Sequence, residues 1–137
     1  MQSTDLAYET FLESVQPFAV VLDSCIASLA RSLFWKLREN QKTKVTNKLT
    51  SEYRLLQAND AAFDVRGSVT IKIGDEVQEP LELRCEFTAH FHSSSDVPKG
   101  FAERFSQSEA RVFMWPYFRE FISATTSRMG MTSPHVE

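Results

Sequence analysis

Glycine is scarce in this chain, with four in 137 residues, at positions 67, 74, 100 and 130. No two of them have the spacing of a Gly-x-x-x-x-Gly-Lys phosphate loop or a Gly-x-Gly-x-x-Gly dinucleotide turn, so both classes are excluded. Cysteine is scarcer. Cys25 and Cys85 lie far apart and neither belongs to a Cys-x-x-Cys pair, which excludes the usual zinc site and leaves two thiols expected to stay reduced. Long apolar runs are missing as well: the longest, Phe18 to Leu22, is far short of the ~20 residues that span a bilayer. The opening MQSTDLAYETF has no basic segment ahead of an apolar run, so no signal peptide is expected. A net charge of −3 without a basic stripe argues against a nucleic-acid binder. The absences together describe a soluble, cytoplasmic protein without membrane insertion. Its length fits one domain over residues 1–137.

What is present is patterned. From Lys44 to Arg54, Val45, Leu49 and Tyr53 fall on one side and charged or polar residues on the other. From Phe63 to Ile73, the face Phe63, Val65, Gly67, Val69, Ile71, Ile73 alternates with Asp64, Arg66, Ser68, Thr70 and Lys72. From Leu81 to Phe91, Leu83, Cys85, Phe87 and Ala89 alternate with Glu82, Arg84, Glu86, Thr88 and His90. Period two predicts half-buried strands with the apolar side inward. The connections Gln57 to Ala61 and Gly74 to Pro80 are short, so the three strands are expected to form an antiparallel meander.

The C-terminal third changes period. Val112, Trp115, Phe118, Phe121, Ile122, Thr125 and Met129 recur at three and four, the stripe of an amphipathic helix. Pro116 suits its first turn, and Gly130 its C-terminal cap after Arg128. A shorter helical piece is predicted from Phe101 to Glu109. Residues 1–43 stay open: Phe11, Val15, Phe18, Leu22, Cys25 and Leu29 fit a helical period, yet Pro17 would break one helix, and Phe18 to Leu22 equally opens a strand.

No catalytic constellation emerges. His90 and His92 lie two apart on the charged face of one strand, and with Glu82 or Glu86 such a pair would be a metal-site candidate; two solvated histidines is the favoured reading, and no metal is expected. Cys85 points inward and His90 outward, so they do not form a nucleophile–base pair. The carboxylates Asp64, Glu82 and Glu86 are interleaved with Arg66, Lys72 and Arg84, as on a mixed-charge solvated face. The aromatic surplus says more, with Phe at 11 residues. Phe34 and Trp35 lie with Leu37 in a basic loop, and Phe101 and Phe105 precede the main helix. They are either satellite core or the lining of an apolar groove. The helix, with Trp115, Tyr117, Phe118 and Phe121 on more than one side, is expected to be sandwiched by a second subunit through Phe118, Phe121, Ile122 and Thr125.

The run from Val112 to Met131 resembles the signature of the SecB family of protein-export chaperones. An apolar-Pro-Tyr-x-Arg-Glu motif is matched by Trp115, Pro116, Tyr117, Arg119 and Glu120, and a Ser/Thr-x-Arg-x-Gly stretch by Thr126, Arg128 and Gly130. Leu83 to Phe91 is similar to the family's last strand. The resemblance implies an α+β fold: a four-stranded antiparallel sheet made of a first strand (Pro17 to Arg31), a crossover loop (Ser32 to Thr43) and the meander, followed by a long C-terminal helix. Residues 1–15 become an N-terminal extension with a short helix from Thr4 to Ser14, and 132–137 a short tail. It also implies a homotetramer, a dimer of dimers, that holds unfolded client polypeptides in apolar grooves near the crossover loop, where Phe34, Trp35 and Leu37 fall.

Two departures matter. Export members continue into a second helix and an acidic tail that engages the SecA motor, whereas this chain stops at Glu137. Their acidic sheet surface is here interrupted by Lys48, Arg66, Lys72 and Arg84. Both argue against SecA as a partner and toward the shorter SecB-like chaperones, some of which protect antitoxins. The expected activity is an ATP-independent holdase without cofactor or enzymatic step. The rivals are a dedicated binder of one partner, an antitoxin or phage-related protein, and an enzyme with a small apolar pocket.

Overall fold

Strands 62–74 and 81–93 show how the sequence builds the sheet. In the first, Phe63, Val65, Gly67, Val69, Ile71 and Ile73 are buried and every residue between them is half-buried. In the second, Leu81, Leu83, Cys85, Phe87, Ala89 and Phe91 are buried. The alternation places one face of each strand in the core.

The computed structural model describes residues 2–30, 46–74 and 80–129. Its elements are α1 (Gln2–Ser14), β1 (Val15–Leu29), β2 (Thr46–Asn59), β3 (Ala62–Gly74), β4 (Leu81–Ser93), α2 (Phe101–Gln107) and α3 (Glu109–Arg128). The sheet has the order β1-β4-β3-β2, so the meander is intact and the first strand is added beside the last. The fold is the α+β architecture expected, a four-stranded antiparallel sheet with a long C-terminal helix. The ambiguous start resolves into α1 and then strand. Val15, Val20, Val21 and Ile26 give β1 its β-branched character, and Pro17 falls near the beginning of an edge strand, where a missing N–H is tolerated. The expected crossover loop lies outside the described residues.

α1 begins at Gln2 rather than Thr4, β1 at Val15 rather than Pro17, and α2 ends at Gln107 rather than Glu109; two further differences bear on the packing. β2 runs on to Asn59, which shortens its connection to β3 to Asp60 and Ala61. The carbonyls of these two residues accept from Val97 N–H at 2.7 Å and Ser93 N–H at 2.8 Å. The second correction concerns Pro116, expected in the first turn of the main helix but found inside it, because α3 begins at Glu109. An interior proline costs a helix about 3 kcal/mol, through a lost hydrogen bond and a clash with the preceding turn. Extending the helix ahead of Pro116 buries Ala110 and Met114 completely, and that burial opposes the cost.

The chain divides into two compact units, Met1–Leu22, Tyr53–Gly67 and Phe87–Trp115 forming one, and Asp23–Glu52, Ser68–Glu86 and Pro116–Glu137 the other. The first is organised by aromatic rings. Phe105 meets Phe91 at 4.9 Å and Phe63 at 5.2 Å, both edge-on, while Phe63 stacks on Phe91 at 5.3 Å. Phe11 from α1 joins them at 6.1 Å from Phe63. Edge-to-face and offset pairs of this kind add stability beyond area burial. The second unit has an aliphatic core, with Val69, Ile71, Ile73, Leu81, Leu83, Phe118 and Ile122 buried. There Thr126, also buried, donates to the Ile122 carbonyl at 2.8 Å, satisfying its hydroxyl within the helix.

Candidate peptide-binding surface

The aromatic residues singled out in the sequence separate into distinct positions. Phe34, Trp35 and Leu37 lie outside the described residues. Phe105 is 1% exposed and sits at the centre of the ring cluster. Phe101 is half-buried, its ring 5.2 Å from Tyr8 and 5.4 Å from Phe11. The satellite-core alternative therefore describes Phe105, while Phe101 keeps part of its surface open.

The helix residues also divide. Phe118 and Ile122 are buried within the chain itself, and Phe121 and Thr125 are half-buried. Sequence reasoning placed Val112 on the buried stripe, but it is 75% exposed. Ala110 and Met114, which it omitted, are buried instead. The motif residues Arg119 and Glu120 are exposed, as is Tyr117, while Trp115 is half-buried. The long helix thus carries apolar side chains both in the core and on the surface, which is the two-sidedness expected from its composition.

Outside α3 the most exposed large apolar side chain is Phe18, on β1, a strand the sequence reading did not treat as a binding element; Leu6 on α1 follows at 63%. In the first unit Phe18 is 75% exposed, and Val21 and Leu22 accompany it at 47% and 42%. In the second unit Ile26, on the same strand, is 58% exposed. β1 has β4 on one side and no described strand on the other. An edge of this kind offers backbone donors and acceptors beside apolar anchors, the combination by which extended peptides add to a sheet. A signal was available: Phe18-Ala-Val-Val-Leu22 is continuously apolar rather than alternating, so a strand there directs apolar groups to both faces.

On the solvent side of the sheet two carboxylates have hydrogen-bond partners. The carboxylate of Asp64 lies 2.6 Å from His90 Nδ1 and accepts from Gln57 Nε2 at 2.7 Å. Ser24 and Ser68 donate to Glu86 at 3.2 and 3.4 Å. His90 and His92 are engaged separately, the second with its ring 5.8 Å from Phe18. Among the described residues no three His, Cys, Asp or Glu side chains group as metal ligands. None of the helices described is long and apolar enough to cross a membrane.

Polar chemistry within the first unit serves to hold α1. The Tyr8 hydroxyl donates to Glu109, and the Arg104 guanidinium lies 3.8 Å over the Tyr8 ring and 3.6 Å from Asp5. Burial, reinforced by the Glu109 hydrogen bond, pushes the Tyr8 phenol up to about 12. Burial works to raise Glu109 too, but hydrogen bonds from Ser108 and Tyr8 outweigh it and hold the carboxyl below its ordinary value.

A strand and a crossover into a three-strand meander, followed by a long helix, define the SecB-like fold. Its likeness is plain in the structure of the Mycobacterium tuberculosis Rv1957 SecB-like chaperone, solved in complex with a ChAD peptide from the Rv1956 HigA1 antitoxin. The two chains match with a TM-score of 0.77 over 98% of each, at 20% identity. A protein of unknown function from Streptococcus agalactiae matches with a TM-score of 0.49 at 15% identity, over 90% of this chain and 96% of its own. No protein-family model and no curated protein matches the sequence.

Proposed function

We propose that this protein is an ATP-independent holdase that binds extended segments of non-native polypeptide, antitoxin segments among them. The observation that carries the proposal is Phe18, a phenylalanine 75% exposed on the edge strand of a SecB-like sheet, with Val21 and Leu22 beside it. A fully buried large apolar side chain contributes about 1.5–3 kcal/mol. Three such anchors give binding that is useful yet reversible, and main-chain pairing along the edge makes it tolerant of client sequence. Phe101 belongs to the same apolar set in the first unit, and Phe34, Trp35 and Leu37 stand as client-binding residues on the strength of the sequence. Neither cofactor nor enzymatic step is required, and the protein acts in the cytoplasm as a single SecB-like domain in a homotetramer, with the outer side of the long helix as an assembly face. Antitoxin protection suits it better than export, because the basic residues on the sheet interrupt an acidic surface for SecA.

The test is suppression of aggregation of several unrelated denatured proteins without nucleotide. Wild-type protein is expected to suppress all of them, and Phe18→Ser to weaken suppression while leaving the melting temperature and assembly mass unchanged. A Phe34→Ser/Trp35→Ser double variant is expected to behave likewise. Full activity in a folded Phe18→Ser variant removes β1 from the site. The fold's likeness to a chaperone solved with an antitoxin peptide favours a second reading, a dedicated binder of one partner. Binding of a single client, with no suppression of the others, would establish it.

A further inference from the structure

Two thiols face each other across β1 and β4. Three contacts set the register of this pair of strands: Ala30 N–H donates to the Pro80 carbonyl at 2.7 Å, Ser24 Oγ donates to Glu86 at 3.2 Å, and the Phe18 ring lies 5.8 Å from that of His92. Positions rise on one strand as they fall by equal steps on the other, so the strands are antiparallel and Cys25 stands opposite Cys85. The bond between Ala30 and Pro80 makes theirs a hydrogen-bonded pair. Alternation along the ladder then makes Cys25 and Cys85 a non-hydrogen-bonded pair, with Cα atoms about 4.5 Å apart. Disulfides span Cα separations of about 4.4–6.8 Å.

Side-chain direction agrees. Ser24 and Glu86 meet on the solvent side, so the cysteines one step along share the opposite side. The register does shift near the start of β1, where Ser94 N–H donates to the Ser14 carbonyl at 3.2 Å. The two extra residues this requires on β1 are taken up around Pro17, before the strand reaches Ser24. Access is asymmetric, since Cys25 is exposed and Cys85 is buried. Burial, followed by the neighbouring Cys25, pushes the Cys85 thiol up to about 12.

We propose that Cys25 and Cys85 are a thiol-modification site that closes into a reversible cross-strand disulfide on meeting a low-molecular-weight organic disulfide. The Cys25 thiolate attacks one sulfur of that reagent, its S–S bond breaks, and one small thiolate leaves, so Cys25 carries a mixed disulfide. Cys85 then attacks Cys25 Sγ, passing its proton to the departing sulfur, and the second small thiol is released. Two protein thiols are oxidised and one organic disulfide is reduced to two thiols. The product ties the edge strand covalently to its neighbour.

The experiment treats the full chain with oxidised glutathione and follows intact mass and linked peptides. The wild type is expected to lose two hydrogens, to give a joined peptide containing both cysteines, and to revert fully with dithiothreitol. Cys85→Ser should stop at a glutathione adduct on Cys25. Cys25→Ser, altered at an exposed position, should take up no glutathione and lose no hydrogens. A wild type that retains glutathione on Cys25, or that links Cys25 to Cys25 of a second chain, overturns the proposal.

Discussion

Gly67 and Met114 compete for one space. A Cβ built on Gly67 would lie 2.9 Å from Met114 Cε and 2.9 Å from Tyr53 Cε1, closer than real Cβ contacts come. The strand passes under the helix only because position 67 has no side chain. Met114 is a flexible side chain and can yield in part, whereas the Tyr53 ring is held over the same spot. Gly67→Ala is expected to destabilise the fold by about 1–3 kcal/mol, the usual cost of overpacking. Denaturant unfolding measures it, and adding Met114→Ala should recover less than all of the loss.

Tyr8 makes stability depend on alkaline pH. Its phenol titrates at about 12 when folded against the ordinary 10.0. Between those values the unfolded chain has released a proton that the folded chain keeps, so unfolding becomes easier as pH rises. The stabilisation is fully present below pH 10 and is lost as pH passes through about 12. Phenolate absorbance of wild type minus Tyr8→Phe should show one phenol titrating late. A difference curve centred near pH 10 would contradict the part-buried hydrogen bond to Glu109.

Pro116 is exposed and inside α3. Pro116→Ala restores a backbone donor toward the Val112 carbonyl and removes the ring's clash with the preceding turn. The expected gain is about 1–3 kcal/mol by chemical unfolding. No gain would mean that the helix effectively begins at Pro116.

Core and surface phenylalanines should behave oppositely. Phe105→Ala, at the centre of the ring cluster, is expected to cost about 3–5 kcal/mol, with client binding falling only as folding falls. Phe18→Ala should leave the unfolding midpoint nearly unchanged and act on binding.

Sequence pattern resolved β3 and β4 well because each has one face in the core, which forces strict alternation. β1 escaped it, since an edge strand without a continuous cover is under no such constraint and its apolar spacing mimics a helical period. Pro116 misled for a different reason. Local preference places proline in a first turn, and only the burial of Ala110 and Met114 by tertiary packing shows why the helix continues ahead of it. Phe105 and Phe18 are both phenylalanines flanked by polar or small residues on at least one side. Which of them is core depends on contacts from distant segments, which spacing along the chain does not carry.

The strand order has a consequence during synthesis. β1 emerges from the ribosome early, yet its partner in the sheet is β4, made last among the strands. Until β4 appears, a strand carrying Phe18, Val21, Leu22 and Ile26 has no place in the sheet, and long-range pairing of this kind is slow and prone to aggregation. Under the proposed holdase function, each newly made chain passes through a stage in which it is itself a suitable client.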